Sequence, residues 1–472
     1  MSVKRNFIYS VAYQMLAIIL PLMTAPYLSR VLGADGLGAY AYTYSIANYF
    51  VLLAMLGVNN YGNREVARCG EDLLAVRRTF WGIWALQATL AFAALVVYCL
   101  YAVFISDRFL ESMIWVPYVL TALLDINWLF FGLQRFRVTV VRNSIIKLAT
   151  FALTFIVVRG EDALSGYLML MSGSLLASAL ALWPFVIKEF APLWVGWREV
   201  FSHLKPNLVL FVPVVAVSFY TVLDKVMLGQ MAGMYESGIF ENSLKVASMP
   251  FMFISALGTV MLPHSSRMVA MGKHEEIVAH IAPSMWLSLL LSSAFTLGLV
   301  AIAPEFCPVF FGPGFDPCVY VMSLIVAEMP FMAWANVIRT QWLIPNQRDR
   351  AYVVSVMVGA MCNLTANMLL IPRYGALGAA VGTLAAEISV CVVQTISVRR
   401  ELPLKGWAKE SVPGWAIGIA MFVVIRLCAA VVDPGALGVL IEIATGVVFF
   451  AICSACWLRF SRNRYASELV EP

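Results

Sequence analysis

The stretch SFYTVLDKVMLGQM (Ser218 to Met231) sets Asp224 beside Lys225 in an otherwise apolar run. The chain is 61% apolar and only 12% charged, so each charge inside such a run needs a partner or a task. Asp125, Glu328 and Glu387 stand deep in other apolar runs. Carboxylates there are costly to keep, face a cavity or a partner, and suit coupling to a proton or sodium gradient. The competing assignment is pairing inside one group of helices, as for Glu328 with Arg339 or Arg426 with Glu442. Arg30, Arg64 and Lys245 stand at the ends of apolar runs. Lys245 is four residues from Glu241, the spacing of a helical ion pair.

Other chemistries find little support. Cys453 and Cys456 form a C-x-x-C with no second pair and no histidine beside it, whereas structural zinc needs four ligands, so no metal site is expected. Cys307 and Cys318 share a loop and are read as two free thiols. The glycine-rich GALGAAVG (Gly375 to Gly382) lacks the G-K-[ST] ending of a phosphate loop, and Gly378 with Gly382 makes a small-residue packing face. No ATP-binding signature appears. The four histidines, His203, His264, His274 and His280, form no deep His/Asp pair of the kind a membrane enzyme uses. The chain is expected to be no enzyme and to carry no cofactor.

The elements that position these residues are membrane helices. Soluble domains carry about a quarter charged residues, twice the share found here. Apolar runs of about 20 residues match the helix length that crosses hydrocarbon. Barrel-type alternation is absent. Fourteen spans are predicted, at roughly 7–28, 39–61, 80–104, 113–133, 143–158, 164–187, 207–229, 243–263, 283–303, 318–344, 351–371, 376–398, 412–432 and 437–458. MSVKRN leads into the first span with no small-residue cleavage site, so that span is expected to be retained.

Lys and Arg set orientation. With the N-terminus inside, 24 of the 32 fall in cytoplasmic segments, five outside, and Lys225, Arg339 and Arg426 within spans. Both termini are therefore expected in the cytoplasm. The net charge of +5 reads as topology, not as affinity for nucleic acid.

The longest cytoplasmic linker divides the chain. The expected organisation is a six-helix lobe (1–190), a linker (191–206), a second six-helix lobe (207–400) and two additional helices with a cytoplasmic tail (401–472). QRFR (Gln134 to Arg137) and QRDR (Gln347 to Arg350) are offset by 213 residues, as are ALSG (Ala163 to Gly166) and ALGA (Ala376 to Ala379). An even number of spans per half implies a parallel pseudo-twofold repeat about the membrane normal, an architecture of transporters. Pro21, Pro26, Pro213 and Pro330 are expected to bend spans 1, 7 and 10.

Several segments resemble the polysaccharide transporter family, the Wzx-type oligosaccharide flippases. They are APYLSRVLGADGLGAYAYTYSIANYFVLLAMLGVNNYGNREVAR (Ala25 to Arg68), LDINWLFFGLQRFRVTVVRN (Leu124 to Asn143), FYTVLDKVMLGQMAGMYESGIFENSLKVASMPFMFISALGTVMLPHSSRM (Phe219 to Met268) and IPRYGALGAAVGT (Ile371 to Thr383). The resemblance covers most of the chain and weakens over the last two spans. It implies the MATE-like fold of the multidrug/oligosaccharidyl-lipid/polysaccharide exporter superfamily. It also implies transfer of an undecaprenyl-pyrophosphate-linked oligosaccharide across a bacterial cytoplasmic membrane, alongside polysaccharide polymerase and assembly proteins.

Such a substrate leaves its tail in lipid while its head crosses about 30 Å of hydrocarbon. Its pyrophosphate calls for Arg and Lys. Arg30, Arg64, Asp224, Lys225 and Lys245 are the candidates for that cavity. Lys225 lies about 28 Å along its helix from Pro206, near the outer face, so cavity lining and interfacial anchoring both stay open. Arg64 is equally placed to be a positive-inside anchor. A same-fold exporter of cationic drugs, or of lipid-linked peptidoglycan precursor, is the alternative, and cationic drugs would want anionic and aromatic linings.

Overall fold

A computed structural model describes residues 3–461 except 71, 161–162, 209–210, 212–214, 216–217, 219–221 and 273. The described residues form helices and turns, with no strand among them. Eleven helical stretches among them are long and apolar enough to cross a membrane. Two of the eleven, Ile19–Cys69 and Asp349–Val398, run to 51 and 50 residues. At 1.5 Å per residue each would reach about 75 Å, more than twice the hydrocarbon thickness. Both contain a break: Gly33 (φ 65°, ψ −178°) and Gly375 (φ 53°, ψ −129°) leave helical geometry. Thirteen of the expected spans fall on these eleven stretches. Of the seventh, ten residues, Pro213 among them, lie outside the described ones, and the expected bend there lies with them.

The chain divides into two compact units, Met1–Val226 and Met227–Pro472. The boundary lies inside the expected seventh span rather than at the linker, and the last two spans belong to the second unit.

The first unit contains α1 (Val3–Met55), α2 (Val58–Cys69), α3 (Leu73–Phe104), α4 (Phe109–Ile114), α5 (Val116–Leu124), α6 (Asn127–Gly132), α7 (Phe136–Val157), α8 (Ala163–Leu180), α9 (Trp183–Glu189) and α10 (Trp197–Ser202). Its core holds Phe80, Ile83, Leu86, Ile126, Trp128 and Leu129, all essentially inaccessible. Glycine lets α2 approach α6: a Cβ on Gly62 would lie 2.5 Å from the Trp128 ring, and one on Gly132 2.7 Å from Val66.

Helix α11 (Leu223–Met231) spans the boundary. The second unit continues with α12 (Met234–Ala270), α13 (His274–Phe311), α14 (Cys318–Val326), α15 (Met329–Ile338), a π-helix (Arg339–Leu343), α16 (Asp349–Val398), α17 (Leu404–Ala429) and α18 (Ala436–Ser461). Pro330 does not kink a helix interior. It occupies the first turn of α15, where its missing N–H is no loss, and span 10 breaks just before it at Ala327–Glu328. Cys307 and Cys318 are both buried and free, as expected.

One turn occurs in both units. Gln134 and Gln347 each adopt φ 55°. The next residue caps the following helix with nearly equal angles, φ −91°, ψ 49° at Arg135 and φ −88°, ψ 45° at Arg348. The Arg135 amide donates to Phe130 O at 2.8 Å and the Arg348 amide to Leu343 O at 2.9 Å. Arg135 then pairs with Glu189, and Arg348 with Glu401 at 2.8 Å. The 213-residue offset in sequence is thus matched in backbone angle, hydrogen bond and ion pair. A left-handed conformation costs an ordinary L-residue about 1–2 kcal/mol. Gln347→Gly is therefore expected to stabilise the protein by about 0.5–1 kcal/mol after the loss from its freer unfolded chain, read as a raised thermal-unfolding midpoint.

Candidate functional site

The fourth span breaks where its sequence places a carboxylate. Helix α5 ends at Leu124 and α6 begins at Asn127, so Asp125 and Ile126 are non-helical. A break in a membrane helix frees carbonyls that water cannot reach, and each needs a donor. Four successive carbonyls find one. Gln87 Nε2 donates to Ala122 O and Asp125 O at 2.7 and 2.8 Å. Trp84 Nε1 donates to Leu123 O at 3.1 Å, and Trp183 Nε1 to Leu124 O at 3.0 Å. Trp128 Nε1 donates in turn to Gln87 Oε1.

Asp125 has a local duty here. Its Oδ1 accepts from the Asn127 amide at 3.0 Å and from Asn127 Nδ2 at 2.6 Å, capping α6. Arg142 extends the network, donating to Asn127 Oδ1 at 2.9 Å, Asn143 Oδ1 at 2.6 Å and Ser178 O. Sequence reasoning missed Trp84, Gln87, Asn127 and Trp183, and took Arg142 only as an orientation charge. A lone glutamine in the apolar run WALQATLAFAAL was the available signal.

The second unit departs from α-geometry at the same register. Its π-helix starts at Arg339, 213 residues after Ile126. Such segments commonly mark functional points in helices. The Arg339 guanidinium donates to Asn336 Oδ1 at 2.7 Å, lies 5.8 Å from the centre of the Tyr352 ring, and sits in the field of buried Glu387. Glu328 stands at the residue before α15, where its side chain makes no capping hydrogen bond, and is buried.

The remaining candidates are dispersed. Arg30 is exposed and donates to Pro26 O at 2.7 Å. Arg64 is exposed, pairs with Glu65 at 3.1 Å and lies over Tyr61. The second half of α1 separates these two arginines by about 35 Å. Asp224 is 2% exposed and within electrostatic reach of Tyr49, while Lys225 is half-buried. Lys245 Nζ lies 3.4 Å from Glu241 Oε1, the helical pair its spacing suggests. Among the described residues, no cluster of three or more metal-ligating side chains occurs.

Arg426 pairs with Glu305 at 2.6 Å and donates to Ala301 O at 3.0 Å, so its carboxylate partner is on α13. Glu442 is 2% exposed and its Oε2 has no hydrogen-bond partner. The two acids should therefore respond differently. Glu305→Gln removes the guanidinium's counter-charge and is expected to lower stability by about 2 kcal/mol, whereas Glu442→Gln should be neutral or stabilising. Thermal unfolding of the purified variants checks the difference.

Residues 3–269 match a family model described as polysaccharide biosynthesis protein. The chain belongs to that family. A protein of Escherichia coli (strain K12) named as an O-antigen transporter is 24% identical over 84% of this chain and 97% of its own length. A protein of Haloferax volcanii named as a low-salt glycan biosynthesis flippase is 25% identical over 53% of this chain and 54% of its own. Among solved structures, a lipid II flippase MurJ in an inward closed conformation has a TM-score of 0.80 at 14% identity, covering 97% of this chain and all of that one. An inward-facing multidrug resistance MATE transporter gives 0.61 at 12% identity, covering 83% and 95%. The fold of this family member is therefore MurJ- and MATE-like, and the resemblance read from its sequence holds. The relatives are named as transporters and flippases, not enzymes, which places it with the membrane transporters of polysaccharide biosynthesis.

Proposed function

We propose that this protein is a flippase that moves undecaprenyl-pyrophosphate-linked oligosaccharide units from the inner to the outer leaflet of a bacterial cytoplasmic membrane, for capsule, O-antigen or exopolysaccharide assembly. The observation that carries this reading is the family match over more than half of the chain. Lys and Arg bias supports the orientation, with both termini and the two glutamine turns on the cytoplasmic side. Alternating access is the mechanism. The duplicated turn and the irregularities at Asp125 and Arg339 supply matched points at which each unit can flex. Arg30, Arg64, Lys225 and Lys245 are the cations proposed to meet the pyrophosphate along its path, with Asp224 lining the cavity beside Lys225. Transport draws on a proton or sodium gradient or on membrane potential, with Glu328 and Glu387 the stronger coupling candidates, because Asp125 already serves as a helix cap. Polymerase and assembly proteins take the product.

The test is deletion in the host followed by measurement of the lipid-linked oligosaccharide pool. Inner-leaflet accumulation, relieved by wild type, is expected. Lys225→Ala and Arg30→Ala should insert normally and fail to relieve it. Full complementation by both would make them interfacial anchors. No accumulation at all would remove the oligosaccharide reading. The MurJ-like fold favours a second reading, a lipid-linked peptidoglycan precursor, which predicts that this pool accumulates instead.

A further inference from the structure

The segment joining the sixth and seventh spans has two apolar faces, and among the described residues only one is packed into the core. On the used face, Phe190, Val195 and Val200 enter the core of the first unit. Arg77 donates to Ala191 O at 2.6 Å and Pro192 O at 2.9 Å, and Trp81 Nε1 to Ala191 O at 3.1 Å. Arg78 grips both oxygens of Glu199 at 2.7 and 2.6 Å, and the Tyr61 hydroxyl meets His203 Nδ1 at 2.7 Å. The segment is thus bolted to the ends of α2 and α3.

The opposite face is bare and aromatic. Trp194, Trp197 and Phe201 are 77%, 52% and 50% exposed, with ring centres 5.7 and 5.9 Å apart. We propose that this aromatic face lies in the lipid headgroup region of the adjoining leaflet, held there by anionic lipid. Three observations choose that occupant. First, exposed Phe185 and Ile187 precede the patch along the chain and exposed Leu208 follows it, so exposed apolar side chains flank it on both sides. Second, tryptophan partitions to the membrane–water boundary, where its ring is in hydrocarbon and its N–H is wet. Third, Lys188, Arg198 and Lys205 are exposed around the patch, while the acids of the segment, Glu189 and Glu199, are taken by Arg135 and Arg78. The excess positive charge complements an anionic leaflet. Because the other face is fixed to the lobe, the seated segment ties the first unit to that leaflet.

The test uses tryptophan fluorescence of the full chain in vesicles of phosphatidylglycerol and phosphatidylcholine. Subtracting the emission of the Trp194→Phe/Trp197→Phe double variant isolates these two rings. Brominated phosphatidylglycerol is expected to remove most of the difference emission, and aqueous iodide to leave it intact. Quenching by iodide instead would put the face in water and overturn the proposal. Protection from both quenchers would assign the face to a protein partner or a second copy, and also overturn it. Equal quenching by brominated phosphatidylcholine at the same mole fraction would overturn the anionic preference. Arg198→Gln/Lys205→Gln should bring the two lipids to parity if charge holds the segment.

Discussion

Replacing Gly375 by valine should leave almost no folded protein. Gly375 holds φ 53° and ψ −129°, a conformation closed to ordinary L-residues at a cost of about 1–3 kcal/mol. Its position is occupied from the other side as well. A Cβ there would lie 2.5 Å from Cδ of Glu236. That carboxylate accepts from the Ala376 amide at 2.7 Å and so caps the helix that restarts after the break. Valine would displace Glu236, lose a cap worth about 0.5–2 kcal/mol and add overpacking of about 1–3 kcal/mol. These losses together approach the whole stability of a marginal protein. Size-exclusion of detergent extracts should show aggregate in place of the monodisperse peak. Gly406→Ala is the control, since nothing lies within 4 Å of a Cβ at that site. Glu236→Gln should cost less than the valine, because an amide oxygen can still accept. A Gly375→Val protein as stable as wild type would sink this account of the break.

The helical content and most of the apolar stretches were legible because apolar length is a property of single segments, and the family was legible in the quoted segments that resemble it. The turn at Gln134 and Gln347 was legible as a repeated offset, although its left-handed backbone was not, since glutamine gives no signal for φ > 0. Among the deep carboxylates, Asp125 was found by type, but its local duty was not. Asp125 looked like a coupling group because a carboxylate in an apolar run usually is. Its use as a cap depends on a helix break whose carbonyls take donors from Gln87, 38 residues upstream, and from Trp183 on a later helix. Arg426 was given the wrong partner for a similar reason: Glu442 is nearer in sequence, but Glu305 lies across the helix pair. Such pairings are set by tertiary packing, which periodicity does not encode.

Arg142→Gln is expected to lower stability by about 3 kcal/mol or more, the second largest effect here. Arg142 is a buried guanidinium whose fork serves three acceptors on three different stretches: Asn127 Oδ1, Asn143 Oδ1 and Ser178 O. Hydrogen bonds to a charged group contribute about 1.5–3 kcal/mol each, and acceptors left without a donor inside a membrane regain nothing from water. The loss propagates, because Asn127 is held by Arg142 at one end and holds Asp125 at the other. Without it the restart of α6 loses its cap. Arg142→Lys keeps the charge but not the fork, so it should recover only part of the loss. Asp125→Asn separates structure from transport at the same place. An amide oxygen can still accept from the Asn127 amide, so thermal unfolding should be nearly unchanged. If transport also survives, Asp125 is a cap and the coupling proton or cation is carried elsewhere. If transport fails while the fold holds, the break carries the coupling charge as well as the bend.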